Sequence, residues 1–146
     1  MVETGVRPRV NTLDILDALE RNGTGRLISL DIPPLAEPWY PSSAELIPSS
    51  LRHRFEYRRG SVRRVLPKLL CELESRNLAI NLHLADRVHT ARNIEWEIAQ
   101  VLSSIQSGGT VVVVDVVIWA AEHPHYPART IVRHASEEGA FALIGP

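Results

Sequence analysis

Cysteine is almost absent from the chain: Cys71 is the only one in 146 residues, which excludes an internal disulfide or a Cys-rich zinc site and suits a reducing compartment. A dominant charge is missing too. With 16 Lys and Arg against 17 Asp and Glu, the formal net charge is -1, so no global field draws nucleic acid or an anionic membrane and neither is expected as a partner. The longest apolar run, 110–121, is broken by Asp115 and falls short of the about 20 residues that a membrane-spanning helix needs. The opening residues hold no apolar stretch of signal-peptide length, and the cytoplasm is the expected compartment. A glycine-rich phosphate loop is also lacking, because Arg7, Pro8 and Arg9 follow Gly5.

What remains is an ordinary globular composition, 45% apolar and 23% charged, and one domain spanning 1–146 is expected. A chain of this size buries roughly two-thirds of its unfolded surface and folds without staples. Short β-type runs alternate with helical patterns, which predicts an α/β sheet with parallel strands. Residues 1–5 read as a strand stub. Asn11 caps a helix carrying Leu13, Leu16 and Leu19, and Asn22-Gly23 ends it. A strand over 26–31 follows, with Asp31 at its carboxyl end.

Five prolines between 32 and 50 make that stretch a long loop, with room for one helical turn at 43–46. Strand 55–58, the Gly60-Ser61 turn and a helix with Val62, Val65, Leu66, Leu69, Leu70 and Leu73 on one face come next, with a start or kink at Pro67. Residues 78–84 alternate as a strand, with Asp86 just beyond. The stripe Ile94, Ile98, Val101 or Leu102, and Ile105 predicts a helix over about 90–106, stopped by Ser107-Gly108-Gly109. Residues 110–117 read as a strand buried on both faces. A Pro/His loop at 122–127, a helix over 128–138 and a last strand at 141–144 close the chain.

In an open parallel sheet, ligands bind at the carboxyl ends of strands where strand order reverses. Glu3, Thr4, Gly5, Asp31, Asp86, His89 and Asp115 are all expected near such ends. Gly5 would admit close backbone approach, and Asp31 would accept hydrogen bonds from a ribose diol, although an acid after a strand also serves as a helix cap. Asp86 and Asp115 would orient a substrate, hold a divalent ion or bond to backbone amides. His89 suits a general base at neutral pH and equally a packed helix start. Six arginines between 52 and 64 form a local cationic patch, read as a solvated face in preference to an anion grip. His123-Pro124-His125 lacks the acidic or Cys partners of a metal site, and no metal ligand is assigned. Of the three tryptophans, Trp119 lies nearest the expected site.

Taken in order, several segments resemble the class I S-adenosylmethionine-dependent methyltransferases. They are Glu3-Thr4-Gly5-Val6, Arg26-Leu27-Ile28-Ser29-Leu30-Asp31, Gly60-Ser61, Asp86-Arg87-Val88-His89-Thr90 and Gly108-Gly109 leading to Val114-Asp115. The closest likeness is to a subgroup with a Glu-Thr-Gly-Val opening and an Asp-x-x-His-Thr segment. The resemblance implies a Rossmann-like three-layer sandwich with a mostly parallel central sheet, shortened at both ends. It further implies S-adenosyl-L-methionine as cofactor, bound by Glu3, Gly5, Asp31, Gly60 and Ser61. Asp86, His89 and Asp115 would face a small-molecule acceptor methylated at oxygen or nitrogen. An open sheet edge is compatible with a homo-oligomer.

Two departures support an alternative. Arg9 stands where the family's cofactor turn has glycine, and Val114 stands where some relatives place the first of two metal-binding aspartates. Either change suits a catalytically inactive remnant serving as an interaction or regulatory domain. A nicotinamide-dependent Rossmann domain fits the alternation and Asp31 but lacks the three-glycine turn.

Overall fold

The computed structural model describes residues 1–6, 11–32, 47–86, 91–114 and 140–144. Six strands form one sheet in the order β3-β2-β1-β4-β5-β6, and every pairing is parallel. The strands are β1 (Val2–Thr4), β2 (Leu27–Asp31), β3 (Phe55–Arg59), β4 (Ile80–Ala85), β5 (Ile105–Val114) and β6 (Ala140–Ile144). Helices α1 (Asn11–Arg21), α2 (Val62–Ser75) and α3 (Ala91–Leu102) carry the crossovers after β1, β3 and β4. The chain steps outward from β1 to β3, then crosses back to β4 on the other side of β1. That reversal makes the carboxyl ends of β1 and β4 a topological switch point. The fold is the expected Rossmann-like α/β sandwich.

The two helical layers follow from alternation along the strands. Leu27 of β2 packs with Leu16 of α1 and Ile47, whereas Leu30 points to the opposite face, with Val2, Leu66, Leu69, Leu73, Ile80 and Val101 of β1, α2, β4 and α3. A smaller cluster of Ala85, Ile94, Val111 and Val113 extends that second core toward the β5 side. Reversing the direction of travel across the sheet, with the crossover hand kept constant, is what sends α1 to one face and α2 and α3 to the other.

The helix ends are set by local chemistry. Gly23, at φ +68, closes α1 as expected. Asn77 closes α2 from the left-handed region at φ +52, with Leu78 N–H donating to the Leu73 carbonyl at 2.9 Å and Asn77 N–H to the Glu74 carbonyl at 3.0 Å, the paired bonds of a Schellman motif. Pro67 neither begins α2 nor stops it: it lies inside the helix, which gives up one amide donor there.

Two expectations about the β5 region are corrected. Helix α3 ends at Leu102, and Gly108-Gly109, read as its stop, lies within β5. Ile80 pairs with Ile105 but Leu82 pairs with Thr110, so β5 carries extra residues opposite a two-residue step of β4. Gly109 makes room for this irregularity, since a Cβ there would stand 3.0 Å from the Gln106 carbonyl and 3.1 Å from that of Asn81. Nor is β5 buried on both faces: Val111 and Val113 are buried, while Thr110 and Val112 are half-exposed. The last strand, read at 141–144, is present and runs parallel to β5. The readings at 43–46, 115–117, 122–127 and 128–138 lie outside the described residues.

Candidate functional site

Backbone hydrogen bonds gather four of the expected residues at the carboxyl edge of the sheet. Gly5 N–H donates to the Leu30 carbonyl at 3.0 Å, Gly60 N–H to the Asp31 carbonyl at 2.9 Å, and Asp86 N–H to the Thr4 carbonyl at 2.8 Å. Gly5 holds φ +82 and Gly60 φ +151, both in the region that favours glycine. A Cβ on Gly60 would meet Val65 Cγ2 at 2.6 Å. Ser61 follows and starts α2, its carbonyl accepting from the amides of Arg64 and Val65. His89, Asp115, Trp119, Arg9 and the His123-His125 pair lie outside the described residues.

Asp31 ends β2 half-exposed, with Oδ1 accepting the Ile32 amide at 2.8 Å. Tyr57 of β3 reaches the Asp31 carbonyl through its hydroxyl at 3.4 Å, and burial together with the Asp31 charge raises its pKa. Glu3, expected to touch the cofactor, is buried at 1% exposure. Its carboxylate accepts from Ser29 Oγ at 2.7 Å and from Thr12 Oγ1 at 3.0 Å. Thr12 is in α1 and Ser29 in β2, so Glu3 ties that helix to the centre of the sheet.

Burial holds the Glu3 pKa above its ordinary value, the two hydroxyls oppose the rise, and the charges of Asp86 and Asp31 add to it. Three carboxyl groups from β1, β2 and the end of β4 therefore share one electrostatic neighbourhood at the switch point. Such an arrangement favours a ligand that brings positive charge. Among the described residues no group of three or more His, Cys, Asp and Glu is placed to hold a metal ion.

The profile of a protein family described as methyltransferase domain matches residues 2–116, a span running from β1 to just past β5 and containing Gly5, Asp31, Gly60 and Asp86. The chain belongs to the methyltransferase domain family. No curated protein and no solved structure matches it. Methyl transfer is thus the general chemistry of this domain.

Four of the six arginines in the patch of the methyltransferase domain, Arg52, Arg59, Arg63 and Arg64, are exposed as a solvated face requires, and Arg54 and Arg58 are half-buried. Arg58 grips Glu72 through two bonds of 2.7 and 3.0 Å and reaches Glu56 at 2.6 Å. Arg54 bonds to Glu20 at 2.5 Å and to the Gly25 carbonyl at 3.1 Å. Arg63 stacks over Trp96 at 4.8 Å from the ring centroid, fastening the start of α2 to α3. These bonds fix β3 and α2 in place, a role that the reading as a solvated face did not include.

Two buried polar residues were missed, His83 and Glu97, and they lie buried with the expected Thr4, all at most 4% exposed. Glu97 lies three residues after Ile94 and four before Val101, on the apolar stripe itself, and a charged residue at such a position signals a buried partner. Simple alternation along 78–84 groups His83 with Ala79 and Asn81, both exposed. The irregularity between Ile80 and Leu82 breaks that alternation and turns His83 toward α3. Two hollows, of about 400 Å³ and about 270 Å³, lie at the opposite edge of the sheet around Leu78 and Ala79. Among the described residues no helix is long and apolar enough to cross a membrane.

Proposed function

We propose that the domain is an S-adenosylmethionine-dependent methyltransferase that methylates a small molecule at oxygen or nitrogen by in-line displacement. The observation that carries this reading is the convergence of the Gly5 turn, Asp31, Gly60 and Asp86 on one carboxyl edge, within a chain of the methyltransferase domain family. The residues present fit the cofactor. A sulfonium and an ammonium group are cationic, and the Asp31 and Asp86 charges already act on the Glu3 carboxyl there. When bound, the cofactor supplies an electrophilic methyl group.

The chain's residues then hold and orient. The Asp31 carboxylate accepts hydrogen bonds from the ribose hydroxyls. The turn at Gly5 brings backbone against the methionine portion, with Glu3 holding β1 and α1 in register beneath it. Gly60 and Ser61 border the adenine. Asp86, with His89 and Asp115, faces the acceptor, where His89 or Asp86 takes the proton of the attacking group. Alignment of the acceptor with the methyl group supplies most of the rate. The small-molecule preference rests on the likeness of Glu3-Thr4-Gly5-Val6 and Asp86-Arg87-Val88-His89-Thr90 to one subgroup of such enzymes.

Arg9 and Val114 support a second reading, an inactive remnant retained as an interaction domain. Calorimetric titration with S-adenosylhomocysteine separates the two. The enzyme reading expects saturable one-site binding, weakened at least about tenfold in Asp31→Ala by loss of charge-assisted hydrogen bonds. Absence of binding by the folded wild type overturns it in favour of the remnant.

A further inference from the structure

Thr4, His83 and Glu97 form a network at the centre of the sheet. Glu97 Oε1 accepts from the Thr4 hydroxyl and lies 2.9 Å from His83 Nε2. His83 Nδ1 has no partner among the described residues. A proton on that atom would be buried without an acceptor, so the imidazole is assigned as the Nε2–H tautomer that donates to Glu97. One carboxyl group of α3 thereby joins the two central strands.

The place of attachment is what gives the network a function. Thr4 is the last residue of β1; its carbonyl receives the Asp86 amide, and Gly5 follows it directly. Four residues, among them His89, lead from Asp86 to the start of α3. Both expected sides of the reaction, the cofactor turn and the acceptor segment, thus connect within a few residues to side chains that Glu97 holds. Apolar neighbours on the same helical face, Ile94 and Val101, already supply packing. A buried carboxylate adds direction rather than net stability, because its desolvation offsets much of its hydrogen bonding.

We propose that Glu97 is a positioning residue which, through Thr4 and His83, locks α3 to the tips of β1 and β4 and fixes the Gly5 turn relative to Asp86. The inference rests on the cofactor reading above and deepens it. Small displacements of an aligned site cost large factors in binding and rate. Glu97 acts at one remove, with Thr4 as the contact through which it reaches the turn.

The test is titration with S-adenosylhomocysteine at a temperature where circular dichroism shows each variant folded. Thr4→Val is expected to weaken binding about tenfold and Thr4→Ser to restore it to within about threefold. Glu97→Gln, which keeps volume and one acceptor oxygen, loses about threefold and carries the same test if Thr4→Val does not fold. Leu69→Ala, a cavity in the core of α2, lowers stability while leaving affinity unchanged, which separates positioning from general destabilisation. Wild-type affinity in folded Thr4→Val and Glu97→Gln overturns the proposal and leaves the cofactor reading intact. Failure of the wild type to bind overturns the cofactor reading instead. The lock is then judged by amide hydrogen exchange in the ligand-free protein: selective loss of protection at Gly5 and Asp86 in Thr4→Val supports it, and unchanged protection overturns it.

Discussion

Adjacent residues of the central strand anchor two buried carboxyl networks on opposite faces of the sheet. On the α1 face Glu3 has, among the described residues, only hydroxyl partners, Ser29 and Thr12, and its pKa is raised by burial. On the α3 face Glu97 has the Thr4 hydroxyl and the His83 imidazole. The Thr4 hydroxyl and the His83 Nε2–H converge on one oxygen of Glu97, whereas Ser29 and Thr12 both donate to Oε2 of Glu3. Glu3 also lies within the field of Asp31 and Asp86. The Glu3 side therefore stands to gain from a cationic ligand, and the Glu97 side is closed on itself.

This contrast can be broken most forcefully on the α3 face. Glu97→Leu leaves the His83 Nε2–H and the Thr4 hydroxyl, two neutral donors, buried without an acceptor, and urea denaturation is expected to show a loss of about 2–4 kcal/mol. A loss below about 1 kcal/mol, the scale of one ordinary hydrogen bond, would mean that the network carries no more than its apolar surroundings.

The Glu3 face gives a smaller effect with a definite sign in pH. Because the folded pKa of Glu3 is raised above the ordinary value of 4.5, the folded state holds a proton that the unfolded chain has released. Its contribution is fully present below 4.5 and is lost as pH rises through the folded value. Denaturation midpoints of the wild type should fall across that window, and Glu3→Gln should flatten the slope. A slope of equal size in the variant would assign the pH dependence to other groups.

Alternation of strand and helix was legible because each element carries its own period. The Leu66, Leu69, Leu70, Leu73 face of α2 and the Asn22-Gly23 stop of α1 needed no tertiary information. Asp31, Gly60 and Asp86 were legible as strand-end residues for the same reason. Features that arise only when segments meet were not. Gly108-Gly109 has the composition of a helix stop, and only pairing with β4 turns it into a strand irregularity. His83 alternates with the exposed Ala79 and Asn81 until that irregularity parts it from them. The ion pairs of Arg54 and Arg58 depend on Glu20 and Glu72, which are distant in sequence and near in the fold.

The two edges of the sheet provide the most direct test of the central claim, that the carboxyl edge binds the cofactor. Amide chemical shifts of isotope-labelled protein, followed during titration with S-adenosylhomocysteine, report on both edges at once. The account predicts saturable shifts at Gly5, Asp31, Gly60 and Asp86, with the amides of Arg76, Leu78 and Ala79 unmoved. Shifts confined to Leu78 and its neighbours at the amino edge, or no shifts at all, would contradict it.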